Sequence, residues 1–151
     1  MQITFGKHKG KSVELVVLKD PAYIYWILQQ TDHATGVLKQ VIAEAWRLLH
    51  IFNQKPFRCK CMGQNCSTLA TDITLHGNSL TPYWLCEKCD IEQLGASSWK
   101  LQRIRKYTRA LSHVNNHCRG RKGDFNVLIT TMARAKGLPL RVGELQAAAF
   151  F

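Results

Sequence analysis

Cys59-Lys60-Cys61-Met62-Gly63-Gln64-Asn65-Cys66, followed by Cys86-Glu87-Lys88-Cys89, is the stretch that decides how this chain folds. Five of the six cysteines of the 151-residue chain lie in it. Cys61 and Cys66 are spaced C-x4-C, and Cys86 and Cys89 are spaced C-x-x-C, 20 residues further on. Two such pairs, each on a turn at the end of a strand, can close over one tetrahedral ion. The spacing predicts a zinc ribbon with one structural Zn²⁺ held by Cys61, Cys66, Cys86 and Cys89. Cys59 is the alternative to Cys61, because side chains alternate along a strand and both would point to the same side. Gly63 is expected to supply a positive φ for a tight knuckle. His76 sits beside Gly77-Asn78-Ser79 and reads as a solvated turn histidine. Four thiolates leave no open position for water or substrate, so the metal is expected to support the fold.

Disulfides fit less well. They need an oxidising compartment, and Met1-Gln2-Ile3-Thr4-Phe5-Gly6-Lys7-His8-Lys9 contains no apolar signal core. Cys59-Lys60-Cys61 is also an awkward start for separate bridges. A thioredoxin-like redox site would place its C-x-x-C at the start of a helix in a βαβ unit, a context missing here. No apolar run approaches the ~18–20 residues of a membrane span. The expected location is the cytoplasm of a bacterium, or a phage-encoded protein within it.

Charge narrows the partner. The net charge is +11, and it is unevenly spread. Residues 1–55 carry +3, residues 56–96 carry −1 and residues 97–151 carry +9. A basic last third suits an anionic surface.

The rest of the chain reads as follows. Ile3-Thr4-Phe5 is a short strand, and Gly6-Lys7-His8-Lys9-Gly10-Lys11-Ser12 a Gly-bounded turn. Residues 13–18 form an apolar run. Asp20-Pro21 opens a helix with an acidic cap and proline at its first position; Tyr23, Ile24, Trp26, Ile27 and Leu28 are its apolar residues. A second helix is predicted over 33–53, with an apolar stripe at three- and four-residue steps. Strands are predicted at 68–75 and 80–85. Ser97-Ser98 is expected to cap a third helix reaching Cys118. Asp124 caps a fourth that Gly137 closes, and a last short helix covers 144–150.

Catalytic signals are weak. The Gly6–Ser12 turn imitates a phosphate loop, but has three residues between its glycines where that loop has four. The ten acidic residues are scattered, with no paired cluster for a two-metal nuclease. His113 and His117, four apart beside Cys118, could hold a second metal, but packing or phosphate contact suits them better. Residues 127–145 could imitate a helix-turn-helix, yet the second helix is Ala- and Phe-rich and lacks base-reading side chains.

Thr4-Phe5-Gly6-Lys7-His8-Lys9-Gly10-Lys11 and Asp20-Pro21-Ala22-Tyr23-Ile24-Tyr25-Trp26-Ile27 carry a resemblance. Residues 3–28 resemble the small C-terminal module of exodeoxyribonuclease X-like proteins, which shows an F-G-K-x-K-G-K turn followed by a D-P-x-Y-x-x-W helix. The resemblance implies a module attached to DNA-processing enzymes, here expected without their acidic catalytic part.

Together these readings give an α+β protein in three segments: an exodeoxyribonuclease X-like αβ module over 1–55, a zinc ribbon over 56–96 and a basic helical part over 97–151. The expected function is non-enzymatic binding of nucleic acid, DNA ahead of RNA, as an accessory subunit of a larger DNA- or RNA-processing complex, with a protein partner and no membrane. Lys7, Lys9 and Lys11 would grip phosphates on one side. Arg103, Arg105, Lys106, Arg109, Arg119, Arg121 and Lys122 would do so on the other. No catalytic residue is assigned. Two alternatives stand beside this: a zinc-ribbon adaptor between proteins, whose apolar end at 147–151 docks on a partner, and a nuclease whose site forms only on folding.

Overall fold

The N-terminal turn shows how local chemistry sets the first elements. In the computed structural model, which describes residues 1–93 and 101–151, Ile3 does not enter a regular strand. Its amide instead donates to Lys11 O at 2.9 Å and its carbonyl accepts from Gly10 N at 2.8 Å, closing a short hairpin. Gly6 and Gly10, at φ 64° and 84°, make the bends that a side chain would oppose. Ser12 then ends the turn by capping α1 (Val13–Lys19), its hydroxyl accepting from Leu15 N. Asp20 caps α2 (Pro21–Leu28) in the same way through Tyr23 N, with Pro21 at the first helical position. The apolar stripe of α3 (Gly36–Gln54) buries Val41, Ile42, Ala45, Leu48, Leu49 and Phe52.

The chain then enters the cysteine stretch and a three-stranded antiparallel sheet, order β2-β1-β3. The strands are β1 (Asp72–His76), β2 (Tyr83–Leu85) and β3 (Leu101–Ile104), with α4 (Glu87–Gln93) between the last two. The helices α5 (Tyr107–His117), α6 (Lys122–Ala135) and α7 (Glu144–Phe150) follow. The α+β class is as the sequence implies. No helix among the described residues is long and apolar enough to cross a membrane.

The predicted third helix is corrected. It begins at Tyr107, and residues 101–104 form a strand, Ile104 facing Ile73 and Arg103 facing Thr74. The expected Ser97-Ser98 cap lies outside the described residues. Alternation explains the strand: it places Arg103 and Arg105 on one side of the sheet and buried Ile104 on the other. Asp124 lies inside the first turn of α6 rather than at its cap, a place that still suits its charge.

One apolar cluster joins α1, α2 and α3 to Ile73, Leu75 and Ile104 of the sheet and to the buried faces of α5, α6 and α7. Tyr107 sits within it fully buried, its hydroxyl donating to Val17 O at 2.7 Å. Glu144, at the start of α7, accepts from the Ser12 amide and hydroxyl and so fastens the C-terminal helix to the first turn. A second, smaller cluster contains Cys61, Leu85 and Cys86.

Candidate metal centre and nucleic-acid interface

The sulfurs of Cys61, Cys66, Cys86 and Cys89 lie within 4.8 Å of one another. Their elements explain why. An isolated bridge between Lys60 and Leu69 holds the first pair, and Met62 N donates to Trp84 O at 2.7 Å, tying that knuckle to β2. The second pair sits at the start of α4, immediately after β2. Cys66 Sγ and Cys86 Sγ are 3.8 Å apart, the edge of a tetrahedron whose metal–sulfur bonds are about 2.3 Å. Gly63 N and Cys86 N approach Cys61 Sγ at 3.3 and 3.2 Å, as backbone donors do around a thiolate ligand. The cluster is zinc-ribbon-like and fits one tetrahedral ion.

Gly63 serves the site differently from expectation. It is Asn65 that has positive φ, at 56°, and not Gly63. A Cβ on Gly63 would instead stand 2.5 Å from Cys89 Sγ and 3.3 Å from Cys61 Sγ. The glycine is needed for room, so that backbone can run against the sulfurs. Of the two possible first ligands, Cys61 joins the group and Cys59 packs against the main core. Burial pushes the Cys59 thiol above its ordinary value. Within the group, the Cys89 amide foremost, with the Thr68 hydroxyl, draws Cys86 down to about 6. The neighbouring Cys86 sulfur, with burial, pushes Cys89 up.

His76 is exposed and outside this group. His113 and Cys118 meet the β1–β2 turn instead: His113 Nε2 lies 3.2 Å from Ser79 O, and Cys118 Sγ donates to Asn78 O at 3.4 Å. They pin that turn to α5, and His117 stacks on His113.

The basic residues divide into two sets. Arg105 Nε donates to Asp72 at 2.9 Å, and Arg103 forms an ion pair with Asp90 while reaching Asp72 at 3.8 Å. Asp72 and Asp90 are buried. Two buried carboxylates need such partners, and Thr74 donates a further hydrogen bond to Asp90 at 3.0 Å. These arginines bind β3 to the rest of the ribbon. Arg105 is nonetheless exposed, and so is the second set, which does not reach these two carboxylates: Lys7, Lys9, Lys11, Lys106, Arg109, Arg119, Arg121 and Lys122.

Within that set, two distant segments meet. Lys7 Nζ lies 2.7 Å and Lys122 Nζ 3.6 Å from the same oxygen of Asp20. The N-terminal turn and the start of α6, where the basic loop ends, therefore stand side by side. His8 Nε2 is also 2.9 Å from that oxygen. Burial lowers His8 below its ordinary value despite Asp20, so the ring is neutral near pH 7 and donates from Nε2. Burial pushes Asp20 up, but donation from Lys7, Tyr23 N and His8 outweighs it and holds the carboxyl low. Arg119 and Arg121 line a hollow of about 170 Å³ with His117 and Asp124. Sequence reasoning missed the outward placement of Trp26, which is 50% exposed beside Lys7 and Tyr23.

Residues 3–32 match the family of exodeoxyribonuclease X-like C-terminal domains, about a fifth of the chain. The match spans the hairpin, α1 and α2, and therefore Lys7, Asp20, Tyr23 and Trp26. Neither a curated protein nor a solved structure matches the chain.

Proposed function

We propose that this protein binds nucleic acid without catalysing a reaction on it, as an accessory subunit of a DNA-processing assembly in a bacterial or phage-infected cytoplasm. The observation that carries the reading is the meeting of Lys7 and Lys122 at Asp20. It puts the lysine-rich turn beside the most basic loop of a segment with charge +9. Lys9, Lys11, Arg119 and Arg121 extend the positive surface. Such contacts neutralise phosphates and position a protein on a strand without reading its sequence. The similarity to a module of exonuclease-like proteins supports the same partner. Arg103 and Arg105, already paired with buried carboxylates, contribute to the fold more than to binding. That pairing also argues against Asp72 and Asp90 as holders of a nuclease metal.

In this reading the cysteines hold one zinc. Cys61, Cys66, Cys86 and Cys89 supply four thiolates, and the ion when bound contributes folding energy. The backbone donors on Cys61 and the bare Gly63 orient the sulfurs.

Salt titration of binding to duplex DNA tests the function. Each phosphate neutralised contributes about −0.9 to the log–log slope. Replacing Arg119, Arg121 and Lys122 by Ala should flatten the slope by roughly two to three. Replacing Lys7, Lys9 and Lys11 should also weaken binding. An unchanged slope in both triple variants would shift the reading to the protein adaptor.

A further inference from the structure

We infer that Trp26 is a stacking platform for an unpaired base of single-stranded nucleic acid, with Lys7 and Lys122 placed for the adjoining phosphate. The inference rests on the nucleic-acid reading above and names the form of its ligand. On α2, Tyr23, Ile24 and Ile27 turn inward, while Trp26 stays half exposed. Its ring does not stand free. Tyr23 supports it from 5.5 Å with a 34° tilt. Tyr23 is in turn fixed by the His8 ring at 4.7 Å and the Lys7 ammonium at 5.1 Å. Lys7, Ala22, Tyr23 and Trp26 line a wide-open hollow of about 370 Å³, which leaves the ring face accessible.

Charge selects the occupant. Two ammonium groups, on Lys7 and Lys122, share the single carboxylate of Asp20. A positive charge is left over beside an apolar ring, which suits a ligand with a flat π-face attached to an anion. A nucleotide within a strand is such a ligand, and base–aromatic stacking tolerates any sequence. In a duplex the base faces are already stacked on each other, so the platform favours unpaired strands.

The test uses the full chain with a labelled oligothymidylate, an abasic backbone of equal length and a duplex. Trp26→Leu should weaken oligothymidylate binding between about five- and 150-fold, the loss of one stacked base. The salt slope should stay unchanged, because no charge is removed. Trp26→Phe should recover much of the loss, and Trp46→Leu, at the exposed tryptophan of α3, should change nothing. The abasic strand and the duplex should not distinguish Trp26→Leu from the unaltered protein. Equal oligothymidylate affinity for Trp26→Leu, with the slope still flattened by the arginine–lysine triple variant, would overturn the platform and leave the nucleic-acid reading intact. Failure of the unaltered protein to bind any strand would overturn both. A defined protein partner that dissociates on Trp26→Leu while strand binding persists would identify the ring as a protein contact and overturn the inference.

Discussion

Replacing Gly63 by alanine changes one methyl group and acts directly on the cysteine centre. Gly63 has no left-handed backbone to protect, so alanine brings no conformational strain of that kind. Its Cβ would lie 2.5 Å from Cys89 Sγ and 3.0 Å from Cys89 Cβ. The knuckle must therefore open by roughly 1 Å to reach ordinary contact, and Cys61 and Cys89 must separate. Overpacking of this kind costs about 1–3 kcal/mol, and the cost falls on the metal-bound form that draws the sulfurs together. Zinc affinity, read by competition with a chromophoric chelator, should fall between about five- and 150-fold. Gly123→Ala, where an added Cβ meets nothing within 4 Å, should leave it unaltered. A Gly63→Ala protein that holds zinc within a factor of two of the original would refute the packing argument.

Other outcomes are equally specific. Cys86→Ser should lose metal and fold together, whereas Cys59→Ser should keep its zinc by elemental analysis, because Cys59 lies outside the sulfur group. Lys136 is 3% exposed, its ammonium bonded to Lys55 O and lying 4.3 Å from the Phe57 ring centre. Burial, with repulsion from Lys55, lowers it from 10.5 to about 8. Its charged form is thus penalised on folding, fully below pH 8, and the penalty is relieved as pH rises towards 10.5. Relative to Lys136→Met, the original protein should therefore gain stability across that window, by at most about 3 kcal/mol in urea unfolding; a flat difference would refute the burial penalty.

The grouping of Cys61, Cys66, Cys86 and Cys89 was legible because metal-site spacing is local: two turns with the right gaps show in the sequence. The choice between Cys59 and Cys61 was not, since both face one side of an extended segment and only the approach of β2 separates them. The third helix was over-extended for a related reason. Leu101, Ile104, Leu111 and Val114 satisfy helical spacing, while pairing of residues 101–104 with β1 depends on chain 25 or more residues earlier. The same distance hid the roles of Arg103 and Arg105, whose carboxylates come from β1 and the cysteine helix. The sequence marks Trp26 only as one of the apolar residues of its helix; its exposure depends on which face of α2 the later helices cover. The helix over Glu144–Phe150 was legible from its own residues.

Competition between a single-stranded oligonucleotide and a heparin fragment of matched charge, at 0.15 M salt, separates a surface built for nucleic acid from one that is merely basic. A protein built for nucleic acid should hold the oligonucleotide at sub-micromolar concentration and at least about tenfold more tightly than heparin, the margin that one stacked base supplies. Equal binding of both at micromolar strength or weaker would mark the positive surface as unspecific and contradict the nucleic-acid reading.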